Sequence, residues 1–286
     1  SRKNRPHKPF AVMFADMAQL RDYCTIGQDE EEMLTSPARP VAIVRRRDSA
    51  GLADAVAPDT GDVGAFLPYT PLHHLLLAEA GPLVMTSGNR ADEPIAVDEQ
   101  ELGRILGPVA DTALVHDRPI VRRCDDSVVK AAGGAPLFMR RSRGYVPDSV
   151  PLPLDGPPVL ACGADLKNTF CIARGRQAFL SQHVGDLDEY TAYRFFAESV
   201  DDLTKLLGVR PRMVACDLHP GYHSTAYARE SGIETTIGVQ HHHAHIVSCM
   251  VENGLSGPVV GVALDGTGYG DDGTVWGGEF LVADTA

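Results

Sequence analysis

The chain has 286 residues, 44% of them hydrophobic and 22% charged, and a formal net charge of -12; this is ordinary globular usage, which excludes collagen-like, coiled-coil and disordered readings and predicts about two domains. No apolar run approaches the ~18 residues of a membrane span, and the polar opening Ser1-Arg2-Lys3-Asn4-Arg5 is not a signal peptide. Six scattered cysteines with no C-x-x-C pair argue against a zinc finger or a disulfide framework and for a reducing, cytoplasmic setting.

In chain order, Met17 to Cys24 has helical spacing, Val41–Val44 reads as a strand and Leu72 to Ala80 as a helix after Pro71. Leu83–Thr86 is an apolar strand ending at Ser87-Gly88-Asn89, Asp98 to Leu106 is a short helix, and Ser127–Ala131 and Leu137–Met139 are β-rich. An α/β domain with a mixed, twisted sheet follows for residues 1–146. Prolines 147, 151, 153, 157 and 158 then fit neither a helix nor a central strand, so 147–158 is read as a stiff, extended linker. Beyond it, strands at Val159–Cys162, Thr169–Ala173 and Ala178–Leu180 precede an amphipathic helix over Thr191–Leu207, with Tyr193, Phe196, Val200, Leu203 and Leu207 on one stripe. Strands at Met213–Cys216, Thr235–Val239 and Val259–Leu264 alternate with helices near Ser224–Ser231 and His241–Glu252. That order predicts, for residues 159–286, the first half of an actin-like (ASKHA) ATPase fold. The abrupt start and the stop just after a strand lead us to expect a chain cut at both ends.

Charge is uneven: residues 1–154 carry net -3 and residues 155–286 net -9. The acidic second part is a poor nucleic-acid surface. The first part carries arginine clusters, Arg45-Arg46-Arg47, Arg122-Arg123 and Arg140-Arg141-Ser142-Arg143, suited to small phosphorylated ligands, or else a solvated basic face. Lys3, Arg5 and Lys8 open the chain, and Ser87 and Asn89 stand at a strand's carboxyl end, where ligands gather in α/β sheets or where a plain turn ends a strand.

The strongest local signal is Gln240-His241-His242-His243-Ala244-His245. On a helix His241 and His245 are i and i+4 and share a face, a ready metal clamp; His242 and His243 face elsewhere, and one of them is expected to contact substrate or partner. Asp265 ends the next strand and leads into Gly266-Thr267-Gly268-Tyr269-Gly270, a turn that offers backbone N–H groups to phosphate or simply makes a hairpin whose return strand is Thr274–Val282.

Lys3-x-Arg5 with Ser87-x-Asn89 resembles the YrdC-like family, which makes acyl-adenylates, and the segments Arg122–Ser127 and Arg140–Pro147 narrow the resemblance to the YrdC-like part of the HypF carbamoyltransferases. The H-x-x-x-H pair with Asp265 is similar to the Kae-type transferase domain, and Asp217-Leu218-His219-Pro220-x-Tyr222-x-Ser224-Thr225 matches the HypF pattern. The YrdC-like part comes first, as in HypF; O-carbamoyltransferases of antibiotic synthesis have the reverse order.

The resemblance implies a fragment of a longer enzyme, preceded in full-length members by an acylphosphatase domain with zinc fingers. It implies carbamoyl phosphate and ATP as substrates, a carbamoyl-adenylate intermediate, and transfer to the C-terminal cysteine of HypE in [NiFe]-hydrogenase maturation. Lys3, Arg5, Ser87, Asn89, Arg140, Arg141 and Arg143 are the expected nucleotide contacts. His241, His245 and Asp265 are the expected catalytic metal ligands for magnesium, iron or zinc, with a further Asp ligand beyond residue 286. Lys167, Asn168, Gly266, Thr267 and Gly268 are the expected phosphate contacts of the second domain. Neither a membrane nor a nucleic acid is expected as a partner. Two other readings stand beside this one: a carbamoyl or threonylcarbamoyl transferase with a different acceptor, and an inactive metal- or nucleotide-binding fragment.

Overall fold

Short apolar strands alternating with side-chain-capped helices build the first part of the chain in the computed structural model, which describes residues 9–48, 51–90 and 93–285. Its elements are β1 (Ala11–Met13), α1 (Met17–Tyr23), β2 (Cys24–Thr25), α2 (Gln28–Thr35), β3 (Val41–Arg46), β4 (Asp62–Phe66), α3 (Pro71–Ala80), β5 (Leu83–Met85), α4 (Glu99–Leu106), β6 (Val128–Ala132) and β7 (Ala135–Arg140). Asp16, Thr70 and Asp98 each accept a backbone N–H at the start of α1, α3 and α4, and Pro71 takes the first helical turn, where its missing N–H costs nothing. The sheet runs β5-β1-β4-β3-β6-β7, with β2 also on β3. It is mixed: β1–β4 and β3–β6 are parallel, and the remaining pairs are antiparallel. Phe14, Leu20, Leu34, Val44, Ala65 and Val129 pack its core. Among the described residues, those up to 90 and from 95 to 145 form this unit; residues 93–94 and 146–285 form the second.

The second unit comprises β8 (Ser149–Ala161), β9 (Cys171–Leu180), α5 (Tyr190–Leu207), β10 (Met213–Asp217), α6 (His223–Glu230), β11 (Thr235–Val239), α7 (His241–Glu252), β12 (Val259–Ala263), β13 (Gly268–Tyr269), β14 (Val275–Trp276) and β15 (Glu279–Ala283). Its main sheet runs β11-β10-β8-β9, parallel through β11-β10-β8 and antiparallel at β9. α5 buries Ala192, Phe195, Phe196, Val200 and Leu203 and stops at Gly208, whose φ of +61° is left-handed. β12 and β15 pair with each other and cover Ile246 and Met250 of α7.

Three expectations are corrected here. The proline-rich segment is not a linker: most of it is β8, hydrogen-bonded to β9. Pairing runs through Pro151, lapses, touches at Gly156 and resumes at Val159, and such breaks in the ladder are where a residue without an N–H is tolerated. β9 is one strand instead of two, because Gly175 at φ +55° carries the chain across the polar Arg174–Gln177 stretch while paired to Gly156. The return strand after the glycine-rich turn is split at Gly277-Gly278; β14 pairs with β13, whereas β15 pairs with β12. No helix among the described residues is long and apolar enough to cross a membrane.

Candidate metal centre and nucleotide cavity

Parallel strands bring the second site together. β10 and β11 are in register, Asp217 opposite Val239, so Asp217 and the Gln240-His241 start of α7 emerge side by side at the carboxyl edge of the sheet. Asp265 arrives just after β12, which packs on α7. His241 Nδ1 lies 2.6 Å from Asp217 Oδ2, and His241 Nε2 lies 2.8 Å from Asp265 Oδ2. His245 Nε2 stands 3.2 Å from His241 Nε2 and 3.5 Å from Asp265 Oδ2. One ligand atom from each of His241, His245 and Asp265 falls within 4.8 Å of the other two.

The chemistry of this donor set follows from the tautomer. Asp217 accepts the Nδ1–H of His241, so in the neutral ring Nε2 is a bare lone pair. That lone pair faces a carboxylate oxygen and a second imidazole nitrogen. A cation fits among these three groups when each imidazole presents a lone pair to it. Two imidazoles and one carboxylate suit iron or zinc better than magnesium, which prefers oxygen ligands and water. The His245 side chain is 58% exposed, which leaves open coordination positions, as in catalytic rather than structural sites. The hydrogen bond to Asp217, opposed by burial and joined by Asp265, raises the His241 pKa above its ordinary value. Burial pulls Asp265 upward, but hydrogen bonds from the Gly266 N–H, from His241 and from the Thr267 N–H outweigh it and hold its carboxyl below the usual range.

Tyr222 lines the same region. Its hydroxyl is raised by burial and by the carboxylates of Asp217, Asp165, Asp265 and Asp188, and its ring stacks on His219 at 4.1 Å. Asp165, Asp188 and His223 also lie close enough together to share an ion. Asp165 is already occupied as the cap of α6, taking the N–H groups of His223 and Ser224 at 2.7 and 2.9 Å.

The expected phosphate contacts fare differently. Asn168 is buried and donates to the Cys162 and Ala164 carbonyls, tying the turn rather than meeting a ligand. Lys167 is exposed, with φ +48°, and its N–H is taken by Asp186. The Gly266 and Thr267 N–H groups point at Asp265. Gly268 is a packing glycine: a β-carbon there would lie 2.3 Å from His242 Cε1. His242 itself is fully buried, so it contacts neither substrate nor partner directly.

In the first unit a cavity of about 540 Å³ is lined by Phe10, Tyr69, Ser87, Asp125, Asp126 and Arg140 among others. The Ser87 hydroxyl donates to Asn89 Oδ1 at 2.6 Å, and Arg140 reaches Asp125 at 3.4 Å. Lys3 and Arg5 lie outside the described residues. Arg141 is turned to its own turn, donating to the Tyr145 carbonyl with its guanidinium over Phe138. Arg143 is corrected to a structural role. It donates to Asp126 and to the Ala38 and Arg39 carbonyls and lies 3.5 Å above the Tyr69 ring, which leaves it little to offer a phosphate. Arg143→Ala therefore lowers the stability of the first unit by about 2–4 kcal/mol, because it strands a carboxylate and two carbonyls. Urea denaturation checks this; unchanged stability with a raised KM for ATP would restore the phosphate role.

Sequence reasoning assigned no site role to Asp217, Gln240 or Trp276, and to His242 only a substrate or partner contact shared with His243. The signal for Asp217 was present, an acid ending the strand before His219-Pro220. Nothing local marked Trp276, which reaches His242 only through the fold.

Three family models tile the chain: "Telomere recombination", the model of the YrdC-like and Sua5 proteins, over residues 1–142, "HypF Kae1-like domain" over 155–252, and "Carbamoyltransferase, Kae1-like Domain, second subdomain" over 261–286. The chain is 47% identical to a carbamoyltransferase HypF of Rhizobium leguminosarum bv. viciae over 99% of its own length and 38% of that protein. It is 45% identical to a HypF of Synechocystis sp. over 98% of its length and 37% of that protein. A crystal structure of full-length HypF in the phosphate- and nucleotide-bound form matches with a TM-score of 0.93 at 45% identity, over 99% of this chain and 45% of that one. T. kodakarensis HypF matches at 0.91 and 37% identity, over 98% of this chain and 38% of that one. A YrdC-like unit followed by a Kae1-like unit defines a class of acyl-transferring α/β proteins. Within it, the chain belongs to the HypF carbamoyltransferase family, and it spans about two fifths of the length of the curated relatives it matches.

Proposed function

We propose that this chain carries two successive stations of a cytoplasmic carbamoyltransferase serving [NiFe]-hydrogenase maturation. Water first cleaves carbamoyl phosphate at the acylphosphatase domain the resemblance implies, releasing phosphate and carbamate; at the first station, in the cavity of the YrdC-like unit, a carbamate oxygen attacks the α-phosphorus of ATP. Pyrophosphate leaves and carbamoyl-adenylate forms. At the second, the thiolate of the C-terminal cysteine of HypE attacks the carbamoyl carbon and AMP leaves.

The observation that carries the reading is the convergence of His241, His245 and Asp265, with Asp217 fixing the tautomer of His241. These residues would hold a divalent ion, which when bound supplies a Lewis acid for a carbonyl or phosphate oxygen. The chain's own groups do the rest. Arg140 faces the cavity and stabilises charge developing on the transferred phosphate, and Ser87 offers a hydroxyl at the strand end.

The test is pyrophosphate release from ATP and carbamoyl phosphate by the intact protein, followed by radiolabel transfer to HypE. Without either product the reading fails. Arg140→Ala is expected to slow ATP–pyrophosphate exchange by about 1.5–3 kcal/mol, the worth of one charge-assisted contact; exchange at the wild-type rate would remove Arg140 from the site.

A further inference from the structure

The metal-binding helix begins with residues of two kinds. His241 and His245 face the ion site, whereas Gln240 and His242 face the stretch from Asp265 to Tyr269. Gln240 is the N-cap of α7, and its side-chain oxygen accepts the His243 N–H at 2.8 Å. Its Nε2 lies 3.3 Å from the Tyr269 carbonyl. A peptide N–H only donates and a carbonyl only accepts, so the orientation of this amide is fixed twice over. The same Nε2 lies 3.2 Å from His242 Nδ1. That ring nitrogen faces a donor, and Nε2 on the other side of the ring is buried with no hydrogen-bond partner among the described residues.

His242 is fully buried and fills the space beneath Gly268, where a β-carbon would sit 2.7 Å from Nε2. Gly268 pairs with Trp276, whose indole lies parallel to the imidazole at 6.2 Å and 11°. Gly268 is also the buried point of a stretch whose neighbours Leu264, Gly266 and Thr267 are exposed. The Gly266 and Thr267 N–H groups in turn hold the Asp265 carboxylate.

We infer that Gln240 and His242 form a clamp that sets Asp265 at its distance from His241 and His245, with His242 a positioning residue acting through its packing under Gly268 and its contact with the Gln240 amide. The inference rests on the reading of those three residues as a divalent-ion site. The clamp explains why a histidine with no access to solvent stands beside two that ligate. It ties the glycine-rich stretch to the same helix turn that presents the imidazoles, so the three donors move as one body.

The test is a Co2+ titration of the full-length protein that contains this chain, read by its visible absorption bands and by equilibrium dialysis, each as the difference from a His241→Ala, His245→Ala control. His242→Phe keeps a flat ring under Gly268 but removes the acceptor for Gln240. It is expected to weaken Co2+ about tenfold and to alter the bands, the usual cost of losing an outer partner of a metal ligand. His242→Asn places an amide oxygen near the lost Nδ1 and is expected to recover part of the affinity. Gln240→Glu keeps the cap on the His243 N–H but turns the donor facing Tyr269 and His242 into an acceptor. It leaves the core untouched and is expected to match His242→Phe, which keeps the test decisive should the Phe variant fail to fold. If wild type binds Co2+ and the folded variants bind it with the same affinity and bands, the clamp is overturned. If the full-length wild type and the His241→Ala, His245→Ala control take up Co2+ alike, the ion-site reading fails, and the clamp fails with it.

Discussion

His241→Ala combined with His245→Ala is expected to abolish carbamoyl transfer to the HypE cysteine while ATP–pyrophosphate exchange continues at close to the wild-type rate. Two of the three donors of the proposed ion site are removed, and Asp265 alone would hold a divalent ion no better than an exposed carboxylate. The cavity holding Ser87 and Arg140 lies in the other unit, which has its own sheet and its own core around Phe14, Leu20 and Val129. His241 is half-buried and His245 largely exposed, so the double change leaves α7 anchored through Ile246 and Met250 on β12 and β15. The measurement pairs exchange of labelled pyrophosphate into ATP with label transfer to HypE in the same preparation. Loss of both activities with the fold intact would mean that the two stations are not chemically separable.

How far the sequence foretold this depended on whether the signal was local. The i, i+4 spacing of His241 and His245 and an acid at the end of the following strand were enough to place three donors together, because helix and strand periodicity carry that geometry. Helices α1, α3 and α4 were legible for the same reason: each pairs a spaced apolar set with a cap such as Asp16, Thr70 or Asp98. By contrast α2 is an acidic stretch, Gln28-Asp29-Glu30-Glu31-Glu32, with only Met33 and Leu34 buried, so no apolar stripe announced it. β8 was hidden by its prolines, whose tolerance depends on where its partner strand breaks register. Arg143 looked like a phosphate ligand because an arginine cluster says nothing about partners that are 105 residues away in sequence, such as the Ala38 carbonyl. The role of His242 depends on Gly268 and Trp276, which only the tertiary fold brings under and beside it.

Asp217→Asn is expected to weaken divalent-ion binding at His241 and His245 by at least 10–100-fold while leaving the fold in place. Asp217 is buried and both of its carboxylate oxygens are engaged: Oδ1 accepts the His219 N–H at 2.8 Å and Oδ2 meets His241 Nδ1 at 2.6 Å. In the amide variant the oxygen stays with the His219 N–H, since that backbone group can only donate. The new NH2 then faces His241 Nδ1 and forces it to accept. The proton of the neutral ring moves to Nε2, the atom that faces Asp265 at 2.8 Å. There it donates to that carboxylate and occupies the place of the ion. The variant is thus a tautomer switch rather than a deletion: volume is kept, the His241–Asp265 contact already present at 2.8 Å holds the ring proton, and the melting temperature is expected to stay within a few degrees of wild type. Co2+ titration with parallel thermal melts checks it. Wild-type ion affinity in a folded Asp217→Asn chain would show that Asp217 does not set the tautomer of His241.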